Sequence, residues 1–240
     1  MPNSPTIVTL KVRRSDPEQG LEPTWADYRV PLLDKITVLD ALFYVVQNVD
    51  STVSFRCACR AAMCGSCGMV MNGREGLACR IQLAGLGKMV RVEPMRNMPV
   101  IKDLAVDMEP FFDKYQAVTP YIVPRDNSQE PAVIPPGSTL RDLIDDHLDC
   151  ITCGACYSAC SIVASDPSYL GPAALNRAYC LTADVRDAVR EQRLQAVSGQ
   201  HGVWRCHSLY ECTQVCPKNL VPTRAIRKLK RGEPLDIQSP

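Results

Sequence analysis

Cys150-Ile151-Thr152-Cys153-Gly154-Ala155-Cys156-Tyr157-Ser158-Ala159-Cys160 carries four thiols in eleven residues at the spacing C-x2-C-x2-C-x3-C. Three thiolates set this closely fold around one iron-sulfur cubane, while the fourth points away and ligates another cluster. The run therefore requires a second group, and Cys206-His207-Ser208-Leu209-Tyr210-Glu211-Cys212-Thr213-Gln214-Val215-Cys216-Pro217 supplies it. This group matches C-x2-C-x2-C-x3-C-P except where Leu209 replaces the second cysteine. Cys150, Cys153 and Cys156 with the crossing Cys216 then make a complete [4Fe-4S] site. Cys206 and Cys212 with the crossing Cys160 give only three thiolates, and an apolar residue at the vacant corner favours [3Fe-4S]. The rival assignment keeps a cubane there, with water or an external ligand on the open iron, as a Lewis-acid centre; nothing nearby suggests a hydrolyase pocket.

A third group lies upstream. Cys59, Cys64 and Cys67 follow C-x4-C-x2-C, and Cys79 comes later in the chain. That is the plant-type [2Fe-2S] arrangement, three thiolates from one loop and a fourth from beyond a hairpin. Gly65, Ser66 and Gly68 are small enough to let backbone N–H groups approach the sulfides. The competing readings are structural zinc or buried free thiols, but zinc favours two separated C-x2-C knuckles and this group has one. Cys57 does not fit the spacing and receives no iron; Cys180 lies in a helical stretch where a free cysteine usually packs.

The chain has 13 cysteines, an odd number that excludes complete internal pairing. With no secretory pattern in Met1-Pro2-Asn3-Ser4-Pro5, grouped cysteines read as metal ligands rather than staples. The balance of 27 Lys and Arg against 26 Asp and Glu removes the basic field that nucleic-acid binding needs. No stretch approaches the roughly 18 apolar residues of a membrane span, so the chain is expected to be soluble or held to a membrane by partners.

At 240 residues two modules are expected, at 1–105 and 106–240, giving an α+β protein. In the first, residues 6–12 and 28–32 read as strands that pair, and residues 37–49 as a helix capped by Thr37. Residues 68–79 contain Asn72-Gly73, the signature of a type I′ hairpin, and residues 89–92 add a strand. The second module reads as mostly α, with helical stretches at 107–115, 140–148, 173–181 and 184–197. Residues 118–138, with five prolines, read as irregular surface chain.

A [2Fe-2S] loop, a [4Fe-4S] run and a three-cysteine [3Fe-4S] group in this order resemble the iron-sulfur subunit of succinate dehydrogenase and fumarate reductase, the respiratory complex II family. The segments Pro99-Val100-Ile101-Lys102-Asp103-Leu104-Ala105-Val106-Asp107, Gly171-Pro172-Ala173, Arg205-Cys206-His207-Ser208 and Cys216-Pro217-Lys218-Asn219-Leu220-Val221-Pro222-Thr223-Arg224-Ala225-Ile226 carry the likeness further. The resemblance implies an N-terminal β-grasp plant-type ferredoxin domain and a C-terminal all-α domain of bacterial-ferredoxin type. It implies an FAD-containing flavoprotein partner that interconverts succinate and fumarate, membrane anchor subunits and a nearby quinone. Electrons would pass singly through the three clusters, and the chain would sit peripherally on the cytoplasmic face of the membrane with no span of its own. In family members a proline follows the last cysteine of the run and a tryptophan comes shortly after; here Ser161 and Ser165 stand there, which leaves open the same clusters serving another flavoprotein with a soluble or thiol donor. His207 matches a family residue near the quinone, and reads equally as a polar residue satisfied beside a cluster sulfide.

Overall fold

The computed structural model describes residues 6–125 and 130–232. In chain order the elements are β1 (Ile7–Asp16), β2 (Leu21–Pro31), α1 (Val38–Asn48), β3 (Gly68–Met71), β4 (Arg74–Leu77), β5 (Met89–Glu93), β6 (Val100–Lys102) and β7 (Ala105–Val106). There follow α2 (Glu109–Gln116), α3 (Thr139–Leu148), α4 (Ala155–Ser158), α5 (Ser161–Ser165), α6 (Gly171–Thr182), α7 (Arg190–Val197), α8 (Glu211–Gln214) and α9 (Pro222–Arg231). They form two compact units: the described residues up to Met108 with Ile151–Ala159, and Glu109–Cys150 with the described residues from Cys160 onward. The five N-terminal residues, from which the lack of a secretory pattern was read, lie outside the described residues, as do residues 126–129 of the proline-rich stretch.

The first unit is a five-stranded mixed sheet in the order β2-β1-β5-β3-β4, with β1 and β5 parallel and the other pairs antiparallel. Period-two alternation puts Val8, Leu10 and Val12 on the buried face beside Tyr28, Val30, Val90 and Val92. Helix α1 covers that face with Val38, Leu39, Ala41, Leu42 and Val45. Thr37 starts it with a full capping box: its hydroxyl accepts from the Asp40 N–H, and the Asp40 carboxylate accepts from the Thr37 N–H. Asn72 and Gly73, with φ of 48° and 82°, make the tight β3–β4 turn.

Strands β1 and β2 run well beyond the expected residues. Their outer ends are charged but partnered: Arg14 donates to Asp103, Asp50, Tyr28 and Thr52, and Lys11, Arg13 and Arg91 gather over the Trp25 ring. Residues 151–159 pack on this unit, with Ser158 donating to Glu75 at 3.0 Å and accepting from the Arg96 N–H at 2.8 Å.

The second unit is helical, arranged around α6, which packs against α2, α3, α7 and α9 and is buried along almost its whole length. Ala173, Ala174 and Ala178 keep it slim enough for neighbours on several sides. One helix is shorter than its periodicity predicts. Only Arg190–Val197 of residues 184–197 is helical, because the Asp184 and Asp187 side chains accept the N–H groups of Arg186 and Val189 and compete with helix hydrogen bonding. Asp187 also clamps the fully buried Arg193, which donates to the carbonyls of Val118, Thr119 and Tyr121 and so fixes the start of the proline-rich segment.

Candidate metal centres

The loop between α1 and β3 aims its backbone at sulfur. The N–H groups of Ala61, Met63 and Cys64 all donate to Cys59 Sγ at 3.3 Å. Those of Cys59 and Ser66 donate to Cys64 Sγ at 3.5 Å. Arg60 and Ala62 adopt φ of 55° and 56°, and such left-handed residues turn neighbouring N–H groups inward into an anion-binding concavity. Hydrogen bonding, first from the Ser66 side chain and then from the Cys59 and Ser66 N–H groups, pulls the Cys64 thiol down to about 6. Burial pushes Cys67 up to about 12, with Cys79 and Cys64 as its charged neighbours.

Cys67 enters β3 and Cys79 leaves β4, and the Ala78 N–H bonded to the Cys67 carbonyl at 3.0 Å holds the two ends together. Cys59, Cys64, Cys67 and Cys79 are thus brought to one place, with donors suited to an anionic cluster. Cys57 packs against the hydrophobic core instead.

Gly65 sits inside this loop at φ 75°, with no room for a side chain: a Cβ there would lie 2.6 Å from Cys153 Cβ and 2.8 Å from Cys153 Cα. The loop backbone therefore lies directly on a cysteine of the downstream run. Cys153 and Cys156 belong to the first unit, Cys150 and Cys216 to the second.

In the second unit Cys160, Cys206 and Cys212 line one recess, together with Tyr169, His207, Leu209, Glu211 and Thr223 among others. Here side-chain hydroxyls join backbone donors around the sulfurs. Thr223 Oγ1 lies 3.3 Å from Cys212 Sγ, and the Ser208 N–H donates to Cys206 Sγ at 3.4 Å. The Tyr169 hydroxyl bonds to Cys206, and burial, with Cys206 and Cys160 nearby, pushes its pKa far above the usual phenol value. Burial raises the Cys160 and Cys212 thiols, opposed at Cys160 by the N–H groups of Val163 and Ile162 and at Cys212 by the Thr223 and Thr213 hydroxyls. Leu209 lines the recess and is 53% exposed.

His207 is exposed at the recess. Ser161 reaches it only indirectly, donating from both N–H and Oγ to the Glu211 carboxylate. Ser165 does not line it and donates to the Ile162 carbonyl at 3.1 Å. Tyr169, Thr223 and Glu211 were absent from the sequence expectation: each lies far along the chain from some thiol it serves, and no spacing signals that pairing.

Among the described residues no group of His, Cys, Asp or Glu forms a site for a single metal ion. A cluster asks for something different, thiolates spread around a larger inorganic core. The exposed N–H cradle and the three-thiol recess have the donor chemistry for such cores.

Two family profiles match the chain, one described as a 2Fe-2S iron-sulfur cluster binding domain over residues 9–113 and one as a 4Fe-4S dicluster domain over residues 146–220. The fumarate reductase iron-sulfur subunit of Mycobacterium tuberculosis is 40% identical over 93% of this chain and 91% of its own length. That of Haemophilus influenzae is 34% identical over 96% and 94%. Among solved structures, a chain of the Mycobacterium smegmatis Sdh1 complex in the apo form superposes with a TM-score of 0.85 at 25% identity, over 95% of this chain and 96% of that one.

Proposed function

The chain belongs to the family of fumarate reductase iron-sulfur subunits, and from that premise we propose that it carries electrons between a flavoprotein interconverting succinate and fumarate and a membrane quinone. It is an electron-transfer subunit of an oxidoreductase complex, with [2Fe-2S], [4Fe-4S] and [3Fe-4S] clusters as its cofactors. In this reading Cys59, Cys64, Cys67 and Cys79 hold the [2Fe-2S] cluster. Cys150, Cys153, Cys156 and Cys216 hold the [4Fe-4S] cluster, and Cys160, Cys206 and Cys212 the [3Fe-4S] cluster. The observation that carries the reading is the recess in which those last three thiols meet, with Leu209 in the place of a fourth.

Bound clusters supply one-electron chemistry, and the protein does the rest. The 61–66 backbone donors offset negative charge at the first site. Tyr169, Thr223 and the Ser208 N–H orient the sulfurs of the third. His207, at the mouth of the recess, is placed to hydrogen-bond a quinone carbonyl. Ser161 and Ser165, engaged with Glu211 and the Ile162 carbonyl, are secondary candidates.

Partners in this assignment are an FAD-containing flavoprotein and membrane anchor subunits that hold the chain peripherally at the cytoplasmic face. No helix among the described residues is long and apolar enough to cross a membrane.

Low-temperature electron paramagnetic resonance of the anaerobically purified complex tests the assignment. An oxidised-state [3Fe-4S] signal is expected, with [2Fe-2S] and [4Fe-4S] signals after reduction, and the complex should copurify with anchor subunits and reduce or oxidise quinone. Loss of the oxidised-state signal together with one extra iron per chain would mean that Leu209 does not prevent a cubane. Copurification with a soluble donor in place of anchors would overturn the quinone assignment.

A further inference from the structure

Glu211 immediately precedes Cys212, and Ser161 immediately follows Cys160. The two meet across 50 residues of chain: Glu211 Oε2 accepts the Ser161 N–H at 2.9 Å and the Ser161 Oγ–H at 2.9 Å. One carboxylate is thus pinned by two donors between two of the three thiols of the recess, whose wall it forms. It belongs to no ion pair among the described residues. The cations of this region are directed elsewhere. Lys230 Nζ lies 2.5 Å from the Cys206 carbonyl, and Arg227 donates to the Tyr210 hydroxyl at 3.3 Å. Neither cation bonds to Glu211, whose carboxylate, in the wall of the recess, is held by Ser161.

We propose that Glu211, positioned by Ser161, is a built-in negative charge that lowers the reduction potential of the centre held by Cys160, Cys206 and Cys212. The proposal rests on the [3Fe-4S] assignment above. Reduction of the oxidised cluster by one electron, delivered from the preceding cluster, adds one negative charge and breaks no bond. A fixed carboxylate opposes that added charge, and a partly desolvated site screens the repulsion less than water does. Ser161 acts through Glu211: its two hydrogen bonds stop the carboxylate from swinging into solvent, where its effect would fade. Ser161 is a positioning residue, and the centre's potential is the quantity it sets.

The experiment is a redox titration of the oxidised-state signal, followed by electron paramagnetic resonance on the intact complex, for the unmutated protein, Glu211→Gln, Ser161→Pro and the double variant. Glu211→Gln is expected to favour reduction by about tenfold, about 59 mV upward for one electron. Ser161→Pro removes both donors and should move the potential the same way by less, because the charge stays but is released. The double variant should move no further than Glu211→Gln alone, since two residues acting as one unit are not additive.

A Glu211→Gln protein that titrates at the unmutated potential overturns the proposal. If that variant assembles without the signal, an unchanged potential in Ser161→Pro overturns it instead. Absence of the signal from the unmutated complex has a separate meaning, that the cluster assignment itself is wrong.

Discussion

At Cys59 three backbone N–H groups converge on one exposed sulfur; at Cys212 a buried thiol has the side-chain hydroxyls of Thr223 and Thr213 around it. The first site is wrapped by its own loop: its exposed Cys64 is drawn down to about 6 before any metal arrives, while its buried Cys67 is pushed up to about 12. In the third site burial holds Cys160 and Cys212 in the thiol form, so only incoming iron makes their thiolates favourable. A short loop can organise donors around exposed sulfur by itself. A recess assembled from distant segments adds burial and the side chains of Thr223 and Tyr169 to its backbone donors.

Restoring the missing ligand is the strongest way to break this contrast. Leu209→Cys should turn the third site into a four-thiolate one, abolishing the oxidised-state [3Fe-4S] signal and adding one iron per chain by analysis. The loop is most vulnerable at Gly65, where a methyl group collides with Cys153 backbone at a positive φ. Gly65→Ala is expected to destabilise the first unit by about 2–4 kcal/mol, read as a lower denaturation midpoint.

Ser66→Ala sharpens the electrostatic side of the comparison, because the Ser66 side chain is the largest cause of the lowered Cys64 value. In metal-free protein, Cys64 alkylation should level off above about pH 7 in the unmutated chain. In the variant the midpoint moves upward, leaving less thiolate and slower labelling at pH 6–7, while Cys160 and Cys212 stay slow to label in both proteins. The smallest effect is expected at Thr223→Val, which keeps the shape but removes the hydroxyl beside Cys212. It should cost about 1 kcal/mol of unfolding free energy without changing the cluster type.

Local signals were the legible ones. The Thr37–Asp40 box and the Asn72-Gly73 turn each lie within a few residues, and both α1 and the β3–β4 hairpin form where the sequence places them. The spacing within each cysteine run is equally local and equally visible. Residues 184–189 misled because their apolar period is helical while Asp184 and Asp187 take their N–H groups and Asp187 joins Arg193, a tertiary arrangement no window reveals. The outer ends of β1 and β2 were missed because charged Arg13 and Arg14 do not look like strand residues until Trp25, Asp50 and Asp103 are seen beside them. Helices α4, α5 and α8, of four or five residues, are too short to show any period. Glu211 and Ser161 illustrate the same limit at the site, with each residue ordinary in its own neighbourhood.

The closeness of Gly65 to Cys153 also bears on how far an electron must tunnel. Under the proposed ligand assignment, Gly65 lies between two ligands of the first cluster, and Cys153 is itself a ligand of the second. With clusters held as proposed, these residues would supply a short covalent route and one close backbone contact between the two centres, with no side chain at residue 65 in the gap. Tunnelling falls off steeply with distance, and a bulkier residue at Gly65 would lengthen the hop itself, whatever it did to the fold.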